Sequence, residues 1–76
     1  MNKAEFINKL EDIVEARPGT LKESDPLSAV GWDSMAVLAF QALLDVEFST
    51  RVPADQIIPC KTVGDLVALL GDKLVN

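Results

Sequence analysis

The sequence predicts an all-α fold: a small four-helix bundle of three main helices, one short third helix and a long first loop. Three observations predict it. Apolar residues recur at helical spacing in three separate segments. Each of those segments begins beside a residue able to cap a helix, and proline- or glycine-containing stretches separate them. No segment alternates apolar and polar residues as a half-buried strand does.

The first helix is expected over residues 3 to 16, where Phe6, Ile7, Leu10, Ile13 and Val14 define one apolar face. Asn2 is placed to cap it, with Glu5 in capping-box position. The opposite face, with Lys3, Glu5, Lys9, Glu11, Asp12 and Glu15, reads as solvated surface. Arg17-Pro18-Gly19 stops the helix, because a proline disfavours helical geometry at the residue before it and a glycine permits reversal.

Residues 17 to 33 hold no periodic element. Thr20, Ser24, Asp25, Pro26 and Ser28 are turn formers, and Leu21, Leu27 and Val30 are apolar anchors that can tack the loop onto a core. A loop this long in so small a chain is often functional.

The second helix is expected from Ser34 to about Phe48. Phe40, Leu44 and Phe48 share one stripe with Val37 beside it, while Met35, Leu38 and Ala42 form another. A helix apolar over most of its circumference is either central in a core or presents an apolar strip to a partner. Pro53 to Ile58 reads as a short helical turn with Pro53 at its first position, closed by Pro59. Thr62 then caps the last helix with Asp65 in the acidic capping position. Val63, Leu66, Val67, Leu69, Leu70 and Leu74 supply its apolar face, weakened slightly by Gly64 and Gly71.

Composition narrows the function. The 76 residues give room for one domain, residues 1–76, with 49% apolar and 25% charged residues. Seven basic residues face twelve acidic ones, a net charge of −5, which disfavours nucleic acid and anionic membranes and favours basic protein partners. One Cys and no His exclude an internal disulfide, a zinc site and a Ser-His-Asp triad within the chain, so no metal and no catalytic residue is expected. The lone Cys fits a reducing, cytoplasmic location. The start "MNKAEFINKL" lacks a signal-peptide core, and the longest apolar run, Met35 to Phe40, is too short to span a bilayer.

The site-like feature is "VGWDSMAV", residues 30–37. A Ser before an apolar helical run is ordinarily an N-cap, yet Asp33 can do the same work, which leaves one of the two to spare. A helix N-terminus also has free N–H groups and partial positive charge, suited to a phosphate ester. Its pull, about 0.3–1 kcal/mol at an exposed site, orients a phosphate but does not anchor one without a covalent bond. Gly31 gives an approaching enzyme access to the backbone.

The run Leu27-Ser28-Ala29-Val30-Gly31-Trp32-Asp33-Ser34-Met35 resembles the Leu-x-x-Leu/Val-Gly-x-Asp-Ser-Leu/Met signature of the acyl carrier protein family. The segment "VPADQIIPCKTVGDLVALL" is similar to that family's Ile-Pro, short third helix and Thr-Val-x-Asp entry to the last helix. The resemblance implies that Ser34 receives 4'-phosphopantetheine from coenzyme A, with Asp33 supporting recognition by the transferase. It implies a monomeric, non-catalytic carrier of acyl thioesters in fatty-acid, polyketide or specialised lipid synthesis. Its partners would be a phosphopantetheinyl transferase, an acyl-loading ligase or transferase, and synthase or condensing enzymes.

The family's partner-facing positions map to Met35, Leu38 and Ala42. Ala36 and Ala39 stand where that family often has acids, leaving Asp45 and Glu47 as residual docking charges or as solvated surface, a pattern that would shift recognition toward apolar contact. Trp32 fills the variable site of the signature, as a partner anchor or as packing over the loop. Cys60 reads as a buried structural thiol. Phe40, Leu44, Phe48, Ile58 and Val63 read as core, some of which in the family also line an acyl pocket. Two alternatives share these features: an aminoacyl or peptidyl carrier of a nonribosomal pathway, and a helical protein-interaction module in which Ser34 is only a cap.

Overall fold

Four α-helices form in the computed structural model, which describes residues 1–74. They are α1 (Lys3–Val14), α2 (Ser34–Phe48), α3 (Ala54–Ile57) and α4 (Val63–Leu70). Short 3-10 turns occupy Leu27–Ala29 and Gly71–Lys73. The described residues contain no named strand, and an isolated bridge joins Pro26 to Thr62. The expected all-α bundle and helix order are therefore observed. Residues 75 and 76 of the expected 1–76 domain lie outside the described residues.

The helix starts follow the caps. Asn2 accepts the Glu5 N–H at 2.8 Å while Glu5 accepts the Asn2 N–H at 3.1 Å, completing the capping box of α1. Thr62 and Asp65 repeat the arrangement at α4. The end of α1 differs from expectation, because the helix stops at Val14 and not at residue 16. Glu15 adopts a left-handed conformation (φ 58°), and the Ala16 N–H bonds back to the Glu11 carbonyl at 2.9 Å. Reversal thus begins before Pro18 takes effect.

Glu11 is a correction to the solvated-face reading. It is 1% exposed, and its carboxylate accepts the Leu21 N–H at 3.0 Å. The early reversal folds residues 20–21 back over α1, so a position on the polar side of the helix wheel becomes covered. Its other carboxylate oxygen is buried without a partner.

The long loop is held down at both ends. Leu21 and Leu27 insert into the core, with Val30 packed against it. Carbonyls of the loop then meet the start of α4: Val63 N–H donates to Asp25 at 3.1 Å and Gly64 N–H to Glu23 at 2.9 Å. These are first-turn donors that a helix leaves unpaired. A Cβ at Gly64 would approach the Glu23 carbonyl oxygen to 3.2 Å, so the glycine permits this close approach inside a helix.

The core is built on Phe6, Leu10, Phe40, Leu44, Val63 and Leu66. Phe6 packs against Phe40 and Phe48 with ring centroids 5.9 and 6.2 Å away. Ile57, fully buried, takes the core place expected of Ile58, which is 69% exposed. Pro53 is the N-cap of α3 and not its first residue; Ile57 is the last helical residue and lies in the core, while Ile58 is the C-cap and is exposed.

Candidate functional site at the start of helix α2

The chain enters α2 through Gly31, whose left-handed backbone (φ 79°) strongly favours glycine there. Trp32 follows, half-buried, its ring edge-on to Phe40 at 5.6 Å. Asp33 is the N-cap, and its carboxylate accepts the Ala36 N–H at 2.9 Å. Ser34 is therefore the first helical residue, and it is exposed. Of the two capping candidates in the sequence, Asp33 does the capping and the Ser34 hydroxyl is left over. The backbone N–H groups of Ser34 and Met35 lie in the first turn, where the helix supplies no acceptor, and they add partial positive charge beside that hydroxyl.

Beside Ser34 runs a groove of about 480 Å³ between α2 and α3, within the size range of small-ligand sites. Trp32, Val37, Leu38, Ala54 and Ile58 give it an apolar lining, and Asp33, Ser34 and Gln41 its polar margin. Gln41 is held by donating to the Val52 carbonyl at 3.0 Å. A second groove of about 560 Å³ shares Leu38 and Gln41 and adds Ala42, Asp45 and Arg51. Phe40, Leu44 and Val63, expected as possible pocket lining, are sealed in the core, and only Ile58 of that set reaches the groove.

The expected docking residues fall on the open side of α2. Met35 is 71% and Leu38 59% exposed, and Ala42, Asp45 and Glu47 are exposed as well. Val46, 77% exposed, belongs to the same surface and was not among the residues read from the sequence. The signal was present: Met35, Ala39, Ala42 and Val46 follow at alternating four- and three-residue steps. Ala36, one of the two alanines at commonly acidic positions, is buried, whereas Ala39 is exposed.

Cys60 is half-buried, and burial, followed by the nearby Asp65 charge, pushes its thiol pKa up, away from reactive thiolate. Asp65 has its pKa lowered, first by the Lys61 backbone N–H it accepts and then by that of Thr62. Among the described residues no group of His, Cys, Asp and Glu could hold a metal ion. No described helix is long and apolar enough to cross a membrane.

The family model of the phosphopantetheine attachment site matches residues 4–70, nearly the whole chain. The chain belongs to this family of phosphopantetheine carriers. No curated protein and no solved structure matches it significantly. The group that the family carries, covalent 4'-phosphopantetheine, needs an accessible hydroxyl and a place for a phosphodiester. An exposed serine freed from capping, at the positive end of α2, meets both needs. Carriers of this family interact with transferases and synthase enzymes, so an open helix face next to the site is expected of a member.

Proposed function

We propose that this chain is a non-catalytic acyl carrier protein and that Ser34 is its attachment residue. The observation that carries the reading is the division of labour at α2: Asp33 accepts the Ala36 N–H, and the adjacent Ser34 hydroxyl stands exposed above an apolar groove. When bound, the phosphopantetheine arm supplies the thiol that holds cargo as a thioester. The chain's own residues do the rest. Gly31 turns the backbone into the site, the start of α2 faces the phosphate with N–H donors, and Asp33 fixes that turn while offering a charge to the transferase. The chain brings no catalytic side chain. Tethering raises the local concentration of cargo at each partner to which the carrier docks.

Met35, Leu38 and Ala42, with Val46, form the proposed docking strip, flanked by Asp45 and Glu47; Trp32 stands at its upstream end. A phosphopantetheinyl transferase, a loading ligase or transferase, and synthase or condensing enzymes of fatty-acid, polyketide or specialised lipid synthesis are the proposed partners. The apolar groove lining supports acyl over aminoacyl cargo. We assign the protein to the cytoplasm as a monomeric single domain.

The test is incubation with a broad-specificity phosphopantetheinyl transferase, Mg²⁺ and coenzyme A, followed by intact mass. The expected result is one phosphopantetheine adduct on the parent chain and none on Ser34→Ala. An unmodified parent chain beside a modified control carrier would leave only the protein-interaction module. Loading the holo form with acyl and aminoacyl ligases then separates the two carrier types.

A further inference from the structure

The indole nitrogen of Trp32 is buried and has no hydrogen-bond partner. A buried Trp N–H normally finds an acceptor, because an unmade bond forfeits the hydration the group had in the unfolded chain. Trp32 also lines the groove beside Ser34; Val37, Leu38, Ala54 and Ile58 offer no side-chain acceptor there, and the acceptors at its polar margin, Asp33, Ser34 and Gln41, do not bond the indole. Its ring is held on one side by the edge-on contact with Phe40. An indole can only donate, so the missing partner must be an acceptor oxygen.

We propose that Trp32 is a specificity-determining residue of this groove, donating its N–H to a carbonyl oxygen of a tethered group that folds in from Ser34. The proposal rests on attachment at Ser34. Donation requires the ring to turn so that the covered nitrogen faces the groove. The groove then prefers a chain that is apolar along most of its length and carries a carbonyl near its attached end. A wholly apolar chain fills the same lining but leaves the donor unsatisfied. Two sources supply such an oxygen, the amides of the arm and an oxo group on the cargo.

Trp32 is the one tryptophan of the chain, so its indole N–H gives a single assignable signal. The experiment compares ¹⁵N-labelled apo, holo, octanoyl-loaded and 3-oxooctanoyl-loaded protein, with loading verified by intact mass. The expected result is a downfield shift of the indole proton on loading and about fivefold slower exchange with solvent, the factor to which a typical net hydrogen-bond contribution corresponds. A shift already present in the holo form assigns the acceptor to the arm. A shift confined to the 3-oxo form assigns it to the cargo. In Trp32→Phe, which keeps a ring against Phe40, the Leu38 and Ile58 methyl shifts induced by that carbonyl-bearing form are expected to vanish. An indole signal unchanged across verified loaded forms overturns the proposal while leaving attachment intact. So does a signal already protected in the apo protein and indifferent to loading, which marks a resident water. Failure of the parent chain to load overturns both.

Discussion

The Asp33 carboxylate accepts the Ala36 N–H at 2.9 Å, and this bond releases its neighbour Ser34 from capping. Asp33→Ala is therefore expected to cost about 1 kcal/mol. In a chain of this size that lowers the melting temperature by about 4–8 °C. Ser34→Ala is expected to stay within about 0.5 kcal/mol of the parent. Thermal unfolding followed by circular dichroism compares them, and equal losses would return the cap to Ser34.

Glu11 joins α1 to the long loop through the Leu21 N–H. In Glu11→Ala that buried donor loses its acceptor, a cost of about 1–3 kcal/mol before any cavity is counted. Glu11→Gln keeps an acceptor oxygen and is expected to lose less. Urea unfolding midpoints measure the order, with an unchanged slope showing that stability alone has moved.

Asp65 sets an acid dependence at the start of α4. Its pKa is lowered in the folded chain, first by the Lys61 backbone N–H and then by that of Thr62. A lowered folded value means that the carboxylate's contribution is fully present above its unfolded pKa of about 3.9. The contribution is lost as pH falls from there through the lower folded value. Melting temperatures of Asp65→Asn are expected to fall less steeply than those of the parent across that acidic window. Parallel curves would remove Asp65 from the acid response.

Gly64 is the second residue of α4, and in a helix interior alanine ordinarily gains about 1 kcal/mol over glycine. Its backbone lies against the Glu23 carbonyl, and an added Cβ would stand 3.2 Å from that oxygen. Gly64→Ala is expected to gain nothing in thermal unfolding, and Gly64→Val to destabilise clearly. A Gly64→Ala chain more stable by the full helix-propensity gain would show that the loop yields freely.

On the open face of α2, apolar contact is expected to outweigh charge. Leu38→Ala is expected to reduce kcat/KM of the transferase about tenfold, as loss of a buried interface anchor does. Joint neutralisation by Asp45→Asn and Glu47→Gln is expected to cost less than about threefold, with only weak dependence on salt, since exposed charges are readily screened. A larger effect of the charge pair would reverse that order.

Much of this was legible in the sequence because it depends on local chemistry. The Asn2–Glu5 and Thr62–Asp65 capping boxes mark two helix starts, and the stripe Phe40, Leu44, Phe48 marks the inward side of α2. What was not legible depends on chain segments meeting. Glu11 looks solvated on a helix wheel until the Glu15 reversal brings Leu21 over it. Ile57 and Ile58 are chemically alike, and which of them is buried depends on how α3 lies against the core. At the site, Asp33 and Ser34 are both capping types, and the backbone geometry chooses between them. The groove itself needs α3 laid beside α2, which no local pattern encodes.

Peptide-level mass mapping after transferase treatment measures the role of Ser34 residue by residue. The chain has four serines, at positions 24, 28, 34 and 49. The expected result is one phosphopantetheine group, on Ser34, and an unmodified Ser34→Ala chain that melts with the parent. An adduct on another residue, or one that survives Ser34→Ala, would contradict it.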